Sequence, residues 1–255
     1  MPALIKVCPD ISDFKDHFSG HAGSYSAHRP AYPDSLFVFL ASCAGRRERA
    51  WDCATGNGQA AASLAKYFEN VIATDASAEQ IASATPTKGV EFGVAKAEAS
   101  ALPAGSVDLV TVAQALHWFD IEQFFAESVR VLRPGGVLAI WAYGHCHVDQ
   151  ECDAVVRQIF AEVESFWPPE REIVESGYAG ITLPVSEFQA EDFAMAVDWT
   201  VDQIVAYMRT WSASQRYIKA NGTDPTSLHH AELAAAWGDS ARTVTWPITL
   251  RVGRR

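Results

Sequence analysis

The stretch WDCATGNGQA, residues 51–60, decides how the chain reads. Its first residues belong to RAWDCA, an apolar run suited to a buried strand. Its last residues open GQAAASLAKYF, which reads as a helix. Between them Gly56-Asn57-Gly58 marks a tight turn. Asp52 stands four residues before the first glycine, an acid inside an apolar strand. Strand, glycine turn and helix in immediate succession open a βαβ unit.

The alternation continues outward. NVIATD reads as a strand, SAEQIASA as a short helix, and VEFGVA and VDLVTVAQA as further strands. IEQFFAESVRVL is a helix, LRPGG turns the chain, and GVLAIWAY is a strand. Upstream, AYPDSLFVFLAS is a helix started by Pro33-Asp34. Short apolar strands separated by helices imply a parallel sheet covered on both faces. At one helix start Asp120 is placed to cap, Gln123 to reach back and Phe119 to staple onto Phe124. Ile121, Phe124, Phe125, Ser128 and Leu132 then share one helix face.

After Gly144 the alternation breaks down. VDQECDAVVRQIFAEVESFW, interrupted by Pro168-Pro169, and later VDQIVAYMRTW and LHHAELAAAWG are helical, while FQAEDFAMAV and RTVTWPITLRV read as strands. The expectation is an α/β fold, a doubly wound, mostly parallel seven-stranded sheet of Rossmann-like type with helical insertions. The last strand, near 243–252, should run antiparallel. The chain reads as a single domain with a cap over 1–48, a cofactor-binding core over 49–144, and insertions with the last strands over 145–255.

The formal net charge of −11 argues against a nucleic-acid partner, because neutralising phosphates takes clustered Lys and Arg. Five cysteines without paired spacing suit free thiols in a reducing compartment. The first residues meet acidic side chains before any long apolar run, and no window approaches the roughly 20 apolar residues of a membrane span. A cytoplasmic protein with no membrane partner is expected, and the sequence says nothing of oligomeric state.

Gly56-Asn57-Gly58-Gln59-Ala60-Ala61 matches the dinucleotide pattern G-x-G-x-x-A, in which glycines admit a pyrophosphate to a helix N-terminus. Asp52 argues otherwise: a carboxylate there repels phosphate and suits a cationic ligand. S-adenosylmethionine carries a sulfonium and an ammonium and no phosphate. DxATGxG resembles the first motif of the class I S-adenosylmethionine-dependent methyltransferases. The resemblance extends in order through DASAEQI, AKAEASALP, SVDLVTVAQALHWFD and VLRPGGVLAIWAYG.

That resemblance implies S-adenosyl-L-methionine as cofactor, S-adenosyl-L-homocysteine as product, and several site residues. Asp75 would accept the ribose hydroxyls, Ala76 would lie under the adenine, and Ala97 and Glu98 would meet the adenine edge. Asp52, Ala54, Gly56, Gly58 and Gln114 would complete the cofactor site. Lys96 stands where many members carry aspartate. SYSAHRPAYP, AQALHWFD and MRTWSASQRY resemble the small-molecule branch that includes trans-aconitate-type enzymes. In that branch Tyr25 and Arg29 would face the methionine end, with Arg29 pairing the cofactor carboxylate.

Methyl transfer needs alignment, exclusion of water and, for some acceptors, a base. His117, beyond the fourth strand, is the candidate catalytic residue, as base or orienting donor. Trp118, Trp211, Ser212 and Tyr217 are candidates to line the pocket of a small-molecule acceptor. If Arg209 or Arg216 faces that pocket, an acidic acceptor such as a carboxylate follows. His145, Cys146, His147 and Cys152 lack the paired spacing of a tetrahedral site, so no metal is expected. Two alternatives stand beside this reading: a nicotinamide-dependent oxidoreductase, and a methyltransferase-like protein that binds cofactor without turnover.

Overall fold

The computed structural model describes residues 30–255. Tyr25, Arg29 and most of the expected cap lie outside them. The first described helix, α1 (Asp34–Cys43), buries Leu36, Phe37, Leu40 and Ala41. Then β1 (Arg49–Cys53), α2 (Gln59–Leu64), β2 (Asn70–Asp75), α3 (Ala78–Ser83), β3 (Val90–Val94) and β4 (Val107–Ala113) follow as the apolar runs dictate. The chain continues through α4 (Ile121–Val131) and β5 (Leu132–Tyr143).

The sheet runs β3-β2-β1-β4-β5, all parallel, and then turns antiparallel at β8 (Arg242–Arg254). Eight strands fill seven positions. The last position is shared by β6 (Ser186–Phe188) and β7 (Phe193–Trp199), which pair with successive stretches of β8. The sequence reads FQAEDFAMAV as one strand. The break falls in the polar residues 189–192, which leave the sheet between the two pairings.

Both sheet faces are covered, as the unbroken apolar runs require. Along β5, Val137, Ala139, Trp141 and Tyr143 pack on one face with α1 and α2. Leu138, Ile140 and Ala142 pack on the other with Phe124 and Phe125 of α4. Each cluster draws residues from both sides of Gly144, so no second core begins there.

α4 shows the expected staple, with Phe119 and Phe124 rings 4.9 Å apart. Its cap differs in one respect. Asp120 accepts from the Gln123 N–H, but the Gln123 amide bonds the Asp120 carboxylate instead of reaching back to the N–H. That N–H is taken by Glu98 at 3.0 Å.

The helical insertion consists of α5 (Gln150–Glu162), a 3₁₀ turn (Glu164–Phe166), α6 (Arg171–Glu175), α7 (Val201–Arg209), α8 (Ser212–Asn221) and α9 (His230–Trp237). Pro168-Pro169 separates the 3₁₀ turn from α6, as proline should. α5, α7 and α9 contribute Ile159, Met208 and Trp237 to the first cluster, so the insertion is packed onto the sheet. No helix among the described residues is long and apolar enough to cross a membrane.

The loop between β1 and α2 needs its two glycines for different reasons. Both have left-handed φ, +57° at Gly56 and +92° at Gly58. A Cβ on Gly58 would stand 2.7 Å from the Phe92 ring, whereas one on Gly56 would meet only the Gln80 side chain at 3.8 Å. Gly58→Ala combines left-handed strain with overpacking and should lower stability by about 2–4 kcal/mol. Gly56→Ala carries only the strain and should lower it by about 1 kcal/mol. Urea unfolding of the two variants checks the order; equal losses would mean that Phe92 yields freely.

Candidate functional site

The site forms where strand order reverses, at the carboxyl ends of β1 and β4, the ligand crevice of open α/β sheets. The chain leaves both strands through non-glycine residues in the left-handed region, Ala54 (φ 54°) and Gln114 (φ 57°). Such strain persists only where surroundings over-determine it. Gln114 shows how: its amide exchanges two hydrogen bonds of 2.9 Å with the Tyr143 backbone, and its N–H donates to the Trp141 carbonyl. Its side-chain polar atoms are therefore committed to β5.

Asp52 is turned inward. Its carboxylate is 1% exposed and accepts from Thr111 Oγ1 at 2.8 Å and from Thr55 Oγ1 at 2.5 Å, and the nearby Ala61 N–H favours its charged form. Thr111 is its register partner on β4. Ala61 lies in the first turn of α2, whose N-cap is Gly58 and has no side chain to offer. Asp52 thus sets its charge beneath the first turn of that helix. The carboxylate, expected from the sequence to belong to the cofactor site, lies buried beneath the glycine loop. Burial pushes its carboxyl up to about 6, against the two hydroxyl hydrogen bonds and the Ala61 N–H, which favour the charged form.

Asp75 ends β2 half-buried. Its two oxygens accept the N–H groups of Gly56 and Ser77, each at 2.8 Å. Ala76 follows, also half-buried. The loop 95–103 is docked on α4 by two acids. Glu98 accepts from the Asp120 N–H, and Glu127 accepts from both the N–H and the hydroxyl of Ser100. Ala97 is buried in the second cluster. Glu98 is therefore a tie between loop and helix, with one oxygen engaged.

Beside these residues lies a cavity of about 460 Å³. It gathers His117, Trp118, Trp211 and Ser212 from the sequence candidates, together with Gln114. Tyr217 does not line it; its ring packs edge-on against Phe166 at 5.3 Å. Arg209 points elsewhere and pairs with Asp224, whereas Arg216 does line the cavity. Trp211 is 6% exposed and touches Phe160, Trp167 and Tyr207, so it is wall and core at once.

Sequence reasoning missed the rest of the wall: His145, Phe160, Trp167, Arg171, Tyr207 and Lys219. Phe160 and Trp167 stack at 5.4 Å, and the Arg171 guanidinium lies 4.6 Å over the Trp167 ring. The one available signal was Pro168-Pro169, which ends the helical stretch and turns Trp167 and Arg171 toward the sheet. His117 is largely buried. Desolvation first, and then the Arg171 charge, depress its imidazolium to about 4, so the ring is neutral near pH 7. Among the described residues no cluster of His, Cys, Asp and Glu is arranged to hold a metal ion.

The comparisons with known proteins agree with this architecture. Residues 51–140 match the family described as a methyltransferase domain. A Dictyostelium discoideum protein named as a methyltransferase is 36% identical over 221 residues, covering 85% of this chain and 84% of its own length. A methyltransferase of Aspergillus candidus is 28% identical over 86% of this chain and 70% of its own. A solved structure from Anaeromyxobacter dehalogenans, described as a type II methyltransferase, is 43% identical. It superposes with a TM-score of 0.85 over 89% of this chain and 97% of that one. The fold is thus the Rossmann-like methyltransferase fold. The chain belongs to the class I S-adenosylmethionine-dependent methyltransferases, and neither the oxidoreductase nor the non-catalytic alternative is favoured.

Asp52 carries a pH signature. Its folded value of about 6 lies above the ordinary 3.8, so folding favours its protonated form. That contribution is complete below about pH 4 and lost as pH rises toward and through 6. Asp52→Asn removes the loss. The stability of Asp52→Asn relative to wild type should therefore climb by about 3 kcal/mol between pH 4 and 7 and then level off. Urea unfolding at several pH values measures the difference; a flat difference would place the carboxylate in a wetter site.

Proposed function

We propose that the protein transfers a methyl group from S-adenosylmethionine to a small anionic acceptor, a carboxylate being the favoured class. One observation carries the acceptor assignment. The cavity beside His117 is lined by Arg171, Arg216 and Lys219 and by no Asp or Glu among the described residues. The whole chain carries a net charge of −11, so three cations at one cavity run against its composition. Arg171 pairs with Glu175, while Arg216 donates to the Phe166 carbonyl. Aromatic rings make up much of the remaining wall.

The residues fit the cofactor on the same electrostatic ground. Asp52 and Asp75 place two acids at the ends of β1 and β2, which opposes a pyrophosphate and suits a ligand with cationic centres. The bound cofactor supplies a methyl already activated by its sulfonium. What the chain must do is hold the ribose at Asp75, seat the backbone of Gly56 against the ligand, and align the acceptor in a dry cavity. A carboxylate acceptor arrives ionised, so its oxygen attacks without losing a proton and the pair of electrons from the broken C–S bond stays on sulfur. A neutral His117 suits that reaction.

Asp75→Ala should weaken S-adenosylhomocysteine binding by about 1.5–3 kcal/mol, the range for charged hydrogen bonds. Titration calorimetry on the folded variant decides it, and unchanged affinity would remove Asp75 from the site. Turnover is then scored as S-adenosylhomocysteine released with panels of carboxylates, phenols and amines. Carboxylates should lead, and Arg216→Ala should raise KM for them about tenfold or more while cofactor affinity holds. Amines as the best acceptors would overturn the anionic assignment.

A further inference from the structure

The hydroxyl of Tyr178 lies 3.5 Å from Nδ1 of His117. Tyr178 is fully buried and sits in the turn after α6, far from His117 in sequence. It occupies the left-handed region at φ 61°, directly after Gly177 at 62°. A bulky aromatic residue in that region is strained and is held only by fixed surroundings. Those are present. Its N–H donates to the Ile173 carbonyl at 3.0 Å, and its carbonyl accepts from Arg251 of β8 at 2.6 Å.

The proton on the His117 ring follows from counting donors. Among the described residues the Tyr178 hydroxyl has the His117 ring as its hydrogen-bonding neighbour. Its own proton then needs an acceptor, since a buried O–H left unpaired is costly. Among the described residues the ring nitrogen of His117 is the acceptor in reach. Accepting that bond requires Nδ1 to be bare, which places the ring proton on Nε2. His117 lines the cavity and Tyr178 does not. With Nδ1 turned into the core, the Nε2 edge is the one that faces the acceptor.

We propose that Tyr178 is a positioning residue that fixes His117 as the Nε2–H tautomer, so that His117 donates a hydrogen bond to the acceptor instead of taking its proton. The tautomer stands on geometry alone; the use made of the donor rests on the methyl-transfer reading above. Burial reinforces the arrangement, because it keeps the ring neutral down to about pH 4. A donor at this point orients one oxygen of an anionic acceptor and leaves the other free to attack. A neutral acceptor that must lose a proton finds no base in this ring, so the pairing of Tyr178 with His117 is also a selection against such substrates.

The test is the protonation state of the His117 ring, read by long-range proton–nitrogen correlation spectra at pH 7 with S-adenosylhomocysteine bound. The His117 signals are assigned by their loss in His117→Ala. Wild type should show the proton on Nε2. Tyr178→Phe keeps the ring in place and removes only the hydroxyl, and it should shift the population toward Nδ1–H while cofactor affinity stays within twofold. In turnover with the best carboxylate of the panel, Tyr178→Phe should lower kcat about 3- to 10-fold, the worth of one hydrogen bond. Adding it to His117→Ala should lower kcat no further. A wild-type ring protonated on Nδ1, or a spectrum unchanged in folded Tyr178→Phe, overturns the proposal. An Nε2–H ring in a protein that methylates only amines would leave the tautomer standing and sink the anionic reading instead.

Discussion

The buried carboxylate of Asp52 is the interaction on which the site depends. It bonds the hydroxyl of Thr111 on the neighbouring strand and the hydroxyl of Thr55 in the glycine loop, and the N–H of Ala61 in α2 favours its charge. One side chain therefore ties together the two strands that flank the switch point and the loop above them, beneath the start of the helix that follows. The helix needs this. Its N-cap must be glycine to take φ +92° beside Phe92, and glycine has no oxygen with which to cap. The negative charge that favours a helix N-terminus is supplied from the strand below.

A second acid completes the arrangement from β2. Asp75 accepts the Gly56 N–H, so the loop is held from below by Asp52 and from the side by Asp75. Preorganisation of this kind explains why the loop keeps its left-handed residues. Their strain is offset by hydrogen bonds to charged partners, which are the stronger class. Gln114 repeats the device on β4, where its amide mimics a backbone rung against Tyr143. Both walls of the crevice are thus fixed by side-chain bonds to backbone.

The parallel core was legible because its signals are local. Apolar strand runs, a glycine turn and a capping acid each fit within about ten residues, and the five segments follow in order. Asp75 was legible as the last residue of an apolar strand. The cavity was legible only in part: His117, Trp118, Trp211 and Ser212 were candidates, but the rest of its wall converges from β5, α5, α6, α7 and α8, whose contacts are long-range. Arg209 and Arg216 are both basic residues of the same insertion, yet only the second reaches the cavity; helix orientation decides, and no local pattern encodes it. Tyr217 failed for the same reason, turned onto Phe166 by the rotation of α8. The role of Tyr178 was hidden more deeply, since a tyrosine after a glycine carries no sign of a left-handed backbone. Asp52 was legible as an acid inside an apolar strand, but its inward turn was not, because burial is a tertiary property.

On the proposed reading the two halves of the site carry opposite fields, acids beneath the cofactor loop and cations around the acceptor. Attack of an anion on a sulfonium annihilates charge in the transition state, so water, which stabilises the separated ions best, slows it. A cavity walled by Phe160, Trp167, Tyr207 and Trp211 removes that water. The cations pose the opposite problem. An arginine bonded to the attacking oxygen would stabilise the reactant anion more than the neutralised transition state. The exposure of Arg216 and Lys219 resolves the conflict, since both reach the cavity from its solvent-facing side. Cations there draw in and hold an acceptor by a remote group, while the neutral imidazole of His117 attends the reacting end. On that reading the arrangement would favour acceptors with more than one anionic group over those with a single one.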